Sequence, residues 1–244
     1  MKLKLLFVIS CVLVFGISCT NRTNTSSNPE SLIRNFVTLI ENGKIDDAFN
    51  LSPFINDNLV KKIDPKESAF YYDALLPQDN LITPFDTIRK YSLLSLYGLQ
   101  IRGFISSIVL PEEFYDYYNY YGPVSINGDE NKVDIFLSAL NIQNLKSLEL
   151  IRHDVITPNF QFSERGRRSI ETQKKIYGFD ERVEYSTLYK HNGKYYSGTM
   201  TIVKYGKNWY ILTLNSILGN TSMAGTLKPV SGVIDYLNEF DIKE

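Results

Sequence analysis

Apolar residues recur at helical spacing in the first half of the chain and alternate with polar ones in the second half. Between Pro29 and Glu41 they fall every three or four positions, which predicts an amphipathic helix. Asn28 is a good N-cap for this helix, Pro29 suits its first turn, and Asn42-Gly43 ends it. A second short helix is predicted over residues 44–49.

Three further helices follow in the predicted order. Ser52 and Pro53 begin a piece that runs to Ile63, and residues 66–76 form the next one after the break at Asp64-Pro65. Thr83 and Pro84 then begin a long helix that ends near Val109, before Pro111.

One broad face of this long helix is apolar, and the opposite face carries serines and Arg102. The apolar positions are Leu93, Leu94, Tyr97, Ile101, Phe104, Ile105 and Ile108. A membrane span is the alternative, but Arg102 alone would cost about 2.5–3.5 kcal/mol at the bilayer centre. We therefore expect a central helix of the folded core, packed on most sides.

Strands are predicted from residue 124 onward. Residues 124–126 and 133–140 flank turn chemistry at 127–131, and residues 147–155 form a further strand. The strongest signal is a three-stranded meander, in which the turns at 191–194 and 206–208 separate alternating runs. Its strands are expected over 183–189, 195–205 and 209–217, and a last helix over 232–240.

Helices followed by an antiparallel sheet are typical of the α+β class, with the helices layered on one face of the sheet. No internal repeat is present, and the candidate linkers are too short to separate two domains. The sequence therefore predicts a single α+β domain over residues 29–244, preceded by a flexible polar tether over residues 19–28.

The amino terminus has the pattern of an export signal. Two lysines precede an apolar run from Leu5 to Gly16, which is too short to span a bilayer but suits a signal peptide. The segment Gly16-Ile17-Ser18-Cys19 resembles the lipobox of bacterial lipoproteins, although Gly16 stands where that family usually has an aliphatic residue. The resemblance implies cleavage after residue 18 and a lipid on Cys19. A plain secretory signal and an uncleaved anchor are the alternatives.

Charge and cysteine content narrow the function further. The 26 basic and 27 acidic residues give a net charge of −1, which argues against a protein that binds nucleic acid through phosphates. Both cysteines, Cys11 and Cys19, precede the predicted domain at residue 29, so the folded part has no disulfide. No His, Cys or carboxylate cluster has metal-ligand spacing, and no cofactor motif is present. We expect no metal and no cofactor.

The opening of the mature chain and one strand pair near its end resemble the NTF2-like, cystatin-related α+β roll. The matching segments are Phe36 to Pro53 and Lys204 to Ile211, and residues 66–122 would be an added helical insertion. The resemblance implies a helix-turn-helix packed into a curved sheet whose open end often holds a ligand. The superfamily includes enzymes, binding modules and assembly factors, so the fold does not select the function.

The candidate site residues fall into three groups. His153 lies on a strand beside Asp154, but adjacent strand residues point to opposite faces, so Asp154 cannot orient it as a general base. Arg165, Arg167 and Arg168 form the one basic cluster, expected in a solvated loop where arginine suits phosphate or carboxylate. His191 is expected to be a solvated turn residue.

The third group is a tyrosine-rich segment at 112–121, which suits contact with a glycan or peptide. Its candidates are Tyr115, Tyr117, Tyr118, Tyr120 and Tyr121, and helical spacing places Tyr117, Tyr118 and Tyr121 mainly in the core. Arg102 completes the candidate ligand contacts.

The expected function is an envelope lipoprotein, on the periplasmic or the surface face of a membrane, whose domain binds a small ligand, glycan or envelope protein without catalysis. Two alternatives stay open at this point. One is an NTF2-like enzyme acting on a small hydrophobic, polyketide-like or steroid-like molecule, and the other is an assembly or adhesion scaffold.

Overall fold

Helices occupy the first part of the chain and an antiparallel sheet the last part in the computed structural model, which describes residues 26–64, 85–110, 129–139, 141–157, 162–214 and 225–242. The helices are α1 (Pro29–Glu41), α2 (Ile45–Phe49), α3 (Asp57–Val60), α4 (Phe85–Val109), α5 (Glu130–Ala139), α6 (Glu164–Tyr177) and α7 (Val233–Glu239). The strands are β1 (Glu149–Ile156), β2 (Glu181–His191), β3 (Lys194–Tyr205), β4 (Asn208–Leu214) and β5 (Lys228–Val230). The predicted α+β class is confirmed.

Helix α1 has the bounds and the cap that the sequence predicts. The Asn28 side chain accepts a hydrogen bond from the Glu30 N–H at 2.8 Å, and Pro29 occupies the first turn. The apolar face is buried through Leu32, Ile33, Phe36, Val37, Leu39 and Ile40. The predicted third helix is instead split into a 3-10 turn at Pro53–Ile55 and α3, because the Asn56 side chain caps a new start at Asn58.

Helix α4 packs its predicted apolar face into the core. The Phe104 ring meets Phe36 of α1 edge-on at 5.2 Å and Tyr189 of β2 at 5.1 Å. The helix is covered on one side rather than on most sides, since Tyr91 is 67% exposed and Leu99 48% exposed. Within the described residues, Lys90–Val109 has the length and hydropathy of a membrane span, with half of its most apolar stretch buried.

The sheet has the strand order β1-β2-β3-β4, with all neighbours antiparallel, and β5 pairs with β3. Strand β4 pairs with the second half of β3, whereas β5 pairs with Tyr195–Ser197 at its beginning, so β5 continues the edge where β4 has ended. The three-stranded meander is therefore confirmed, and β5 is an addition that the sequence did not predict.

The two faces of the sheet carry different partners. The inner face, defined here by Tyr185, Met200, Ile202 and Ile211, packs against α1 and α4 in the main core cluster. The outer face packs at one end against Ile176 of α6 and at the other against Tyr236 of α7.

The strand predicted over residues 133–140 is wrong, because residues 133–139 form part of helix α5 instead. The Asp129 side chain accepts hydrogen bonds from the backbone N–H groups of Asn131 and Lys132, at 3.1 and 3.3 Å, and so caps a helix start. Alternation of Val133, Ile135 and Leu137 suggested a strand, yet no α5 side chain is buried. The start of helix α5 is therefore explained by the Asp129 cap and not by burial of an apolar face.

Residues 164–177, predicted as a solvated loop, form helix α6. The Ser163 hydroxyl accepts from the Gly166 N–H at 3.0 Å, and Gly178 ends the helix in the left-handed conformation with φ of 65°. Both caps stand in the sequence and the prediction overlooked them. The helix predicted over 66–76 and the turn and strand predicted over 124–128 lie outside the described residues.

Candidate ligand-binding site

The predicted site residues are distributed over several elements. His153 lies on the inner face of β1, Arg102 is exposed on α4, and Arg165, Arg167 and Arg168 are exposed on α6, which packs on the outer face. The structure therefore does not bring His153, Arg102 and the arginines of α6 together in one site. Cys19 and all five candidate tyrosines of residues 115–121 lie outside the described residues, so those predictions stay predictions.

His153 meets a cation that the sequence analysis missed. The Nη2 group of Arg34 on α1 lies 3.2 Å from Nε2 of His153, although the two residues are 119 positions apart. Arg34 is exposed on the polar side of α1, and α1 crosses β1 so that this side reaches the strand. The His153 ring packs edge-on against Tyr185 of β2 at 6.0 Å. Arg34, His153 and Tyr185 are called the Arg34 cluster below.

The groups of the Arg34 cluster are suited to donating hydrogen bonds. Burial and, to a smaller extent, the charge of Glu30 raise the pKa of Tyr185, so its hydroxyl keeps its proton at neutral pH. No carboxylate lies within ion-pair distance of Arg34 in the described part of the chain. An oxyanion would satisfy these donors.

Asp154 lies on the outer face, as predicted from strand geometry. Its carboxylate accepts from Arg152 Nε at 2.7 Å and Nη2 at 3.0 Å, and from the Tyr236 hydroxyl at 2.9 Å. Burial acts to raise the pKa of Asp154, but the hydrogen bonds from Arg152 and Tyr236 outweigh it and hold the pKa below the usual value. Asp154 therefore does not orient His153, and no His–Asp dyad forms.

A second acid, Glu184, is enclosed on the outer face of β2. It contacts the Arg182 guanidinium, accepts a hydrogen bond from the Thr201 hydroxyl at 3.0 Å, and is 3% exposed. Burial raises the pKa of Glu184 to about 7, against the attraction of Arg182. Alternation along β2 places residues 182 and 184 on one face, but it does not show that this face is buried.

His191 is not the solvated turn residue that the sequence predicted. It is 4% exposed, and its Nε2 atom contacts the backbone oxygen of Asn144. Burial lowers the pKa of His191, which favours the neutral ring. The 3-10 turn Ile142–Leu145 covers the hairpin and shields His191 from water. This long-range contact cannot be predicted from the local turn sequence around His191.

An open groove runs along the exposed side of α4. It encloses about 600 Å³ and is lined by Tyr91, Ser92, Ser95, Leu96 and Leu99. Its lining is mainly apolar and contains no carboxylate or imidazole. Among the described residues, no group of three His, Cys, Asp or Glu side chains is arranged to hold a metal ion.

No family model and no curated protein matches this chain. A solved structure does match, a cystatin-like protein from Ruminococcus gnavus ATCC 29149, with a TM-score of 0.50 and 14% sequence identity. The alignment covers 85% of this chain but 41% of that protein, so this chain spans less than half of the length of its structural neighbour. At this identity the likeness concerns the fold, and the protein has a cystatin-like α+β fold, as the sequence resemblance implied.

Proposed function

We propose that this protein is a bacterial envelope lipoprotein, held to a membrane through lipid on Cys19, whose α+β domain binds an anionic ligand without transforming it. The Arg34 cluster is the binding site in this proposal. The observation that carries it is the exposed Arg34 guanidinium, which lies beside His153 and has no carboxylate partner in the described part of the chain.

The chemistry of the Arg34 cluster favours binding over proton transfer. Arg34 supplies a permanent charge and several N–H donors, which match the oxygens of a carboxylate or phosphate. The Nε2 atom of His153 faces the Arg34 guanidinium, so this ring nitrogen is not open to a substrate as a general base. The ligand of this proposal therefore carries an oxyanion that lies at Arg34.

Membrane attachment is supported by the signal-like amino terminus and the lipobox-like position of Cys19. Lipid chains contribute about 0.8 kcal/mol per buried methylene, so more than one chain gives stable anchoring. Six residues lie between Cys19 and Ser26, where the described chain begins, and the seven Cα–Cα steps span at most about 25 Å at full extension. The domain of this proposal stays close to the bilayer.

Ligand binding can be tested by nuclear magnetic resonance, because the sequence contains two histidines, His153 and His191. The chain from residue 20 onward contains every contact described here and avoids the signal segment. We expect inorganic phosphate, or acetate as a carboxylate, to shift the ring signals of His153 but not those of buried His191. Arg34→Gln should abolish the shift, and Arg102→Gln, an exposed arginine on α4, should retain it.

Two outcomes would refute the binding site. The first is a saturable shift of the His153 ring signals that persists in Arg34→Gln. The second is that His153 shows no shift of its own at any anion concentration, and that both histidines shift together only as the ionic strength rises.

Anchoring is tested separately by membrane fractionation in the bacterial host. Cys19→Ser should move the protein from the detergent-soluble membrane fraction to the soluble fraction, whereas Cys11→Ser should leave it in the membrane. An unchanged membrane fraction for Cys19→Ser would overturn the lipoprotein proposal without affecting the binding site.

A further inference from the structure

The exposed side of helix α6 is densely basic. Its exposed charged residues are Glu164, Arg165, Arg167, Arg168, Glu171, Lys174 and Lys175, which amount to a net charge of +3 on a helix of 14 residues. The other side of the helix packs on the outer face of the sheet through Ile176. Of the five cations, Arg168 is engaged in an ion pair, with Glu164 one turn earlier.

Two more lysines extend this surface at the carboxyl end of α6. The Asp64 N–H donates to the Ile176 carbonyl oxygen at 2.8 Å, and this bond places exposed Lys61 and Lys62 beside the last turn of the helix. With Asp64 included, the combined surface has a net charge of +4. We name it the α6 basic surface. After removal of residues 1–18 the whole chain has 24 basic and 27 acidic residues, so the remainder of the mature chain is strongly acidic.

The carboxyl end of the α6 basic surface lies at the end of the molecule where the described chain begins. The Trp209 N–H donates to the Ser26 carbonyl oxygen at 2.8 Å, so Ser26 lies at the beginning of β4. Trp209 pairs with Lys204, and the next residue of β3, Tyr205, donates its hydroxyl to the Tyr177 carbonyl oxygen at the end of α6, at 2.9 Å. The Lys62 ammonium lies over the same Tyr205 ring at 5.6 Å.

From this geometry we infer that the α6 basic surface contacts anionic phospholipid headgroups and orients the domain on its membrane. The inference rests on the proposed lipid anchor at Cys19, because a tether that spans at most about 25 Å keeps the Ser26 end near the bilayer. Phosphate groups at a bilayer surface attract Lys and Arg side chains within a Debye length, so the basic end faces the membrane and the acidic remainder faces away from it.

The test measures sedimentation of the chain from residue 20 onward with vesicles, which removes the lipid and the signal segment. We expect binding to vesicles of phosphatidylglycerol and phosphatidylcholine at low ionic strength, little binding to phosphatidylcholine alone, and loss of binding in high salt. Each cation near the surface contributes about fivefold to partitioning, so Arg167→Gln/Lys174→Gln/Lys175→Gln should lower it roughly 100-fold.

The matched control removes the same charges elsewhere, as Lys44→Gln/Arg102→Gln/Lys146→Gln, three exposed positions outside the α6 basic surface. Equal losses in the two triple variants would refute a localised surface. Equal binding to both vesicle types would refute the contact with lipid headgroups. Tighter binding to soluble polyphosphate than to anionic vesicles would assign the surface to a polyanion instead. Because the chain used has no Cys19, these outcomes are independent of the fractionation test of the anchor.

Discussion

Glu184 is a carboxylic acid enclosed between the sheet and its outer covering, and its ionisation provides a quantitative test of the structure. Its neighbours are the Arg182 guanidinium and the Thr201 hydroxyl, and burial raises its pKa to about 7 from an ordinary value of 4.5. In the unfolded chain the carboxyl loses its proton near the ordinary value. Between these two pH values, folding therefore takes up a proton.

The sign and size of the effect follow from this linkage. A raised pKa means that the contribution of Glu184 to stability is fully present below pH 4.5 and is lost as the pH rises to about 7. Each pH unit in this window lowers the free energy of unfolding by about 1.4 kcal/mol, which gives a loss of about 3 kcal/mol across the window. Above pH 7 the contribution is constant, because the carboxyl is ionised in both states.

Urea unfolding at several pH values, followed by the fluorescence of Trp209, the single tryptophan and a buried one, measures this loss. The substitution Glu184→Gln removes the titration, so the stability of wild type relative to this variant should fall by about 3 kcal/mol from pH 4.5 to pH 7.5. Glu181→Gln on the same strand is the matched control, since Glu181 is exposed and paired with Lys204. Parallel pH profiles for wild type and Glu184→Gln would show that the acid is ionised in the folded state, and the argument from burial would be wrong.

Two further substitutions test close packing and the attachment of α7. Gly225 has φ of +67°, and a Cβ atom there would lie 2.0 Å from the Gln100 carbonyl oxygen of α4, whereas Gly193 has φ of +80° and no described atom within 4 Å of that position. In urea unfolding, Gly193→Ala should lower the free energy of unfolding by about 1–2 kcal/mol, because of the left-handed backbone alone. Gly225→Ala should lower it by about 2–3 kcal/mol more, because the added Cβ meets α4. Equal losses in the two variants would refute the close approach of Gly225 to Gln100. Tyr236→Phe removes the hydroxyl bonded to Asp154 and should lower the free energy of unfolding by about 2 kcal/mol. A loss below about 0.5 kcal/mol would show that this hydroxyl does not hold α7 on the sheet.

The elements that the sequence predicted correctly are those whose signals are local. Helix α1 has its cap, its proline and its apolar face within 14 residues, and the meander has its turn residues between alternating runs. The strand predicted over residues 133–140 is wrong, because the Asp129 cap starts a helix there despite the alternation of apolar residues. Helix α6 was missed although Ser163 and Gly178 mark both of its ends. In both segments, a capping residue is the sequence signal that indicates a helix.

The Arg34 cluster depends on contacts that sequence patterns do not contain. His153 was selected as the one histidine on an early strand, but nothing near residue 34 indicates that its side chain reaches β1. That contact is set by how α1 crosses the sheet, which is a property of the packed core. The enclosure of His191 by the 3-10 turn at 142–145 has the same origin. Long-range packing therefore forms the candidate site, and it also explains why the prediction of a solvated His191 is wrong.

The arrangement of titratable groups about the sheet bears directly on the choice between a binding module and an enzyme. Acid–base catalysis needs a proton acceptor and a proton donor that reach the same substrate. Here His153 and Arg34 lie on the inner side, whereas Asp154 and Glu184 lie on the outer side, so the sheet itself separates the imidazole from both acids. A permanent cation beside a neutral hydroxyl can hold an oxyanion through donated hydrogen bonds. This separation favours the proposed binding of a charged group on the inner side of the described domain, and the histidine signals under phosphate provide the direct test of that role.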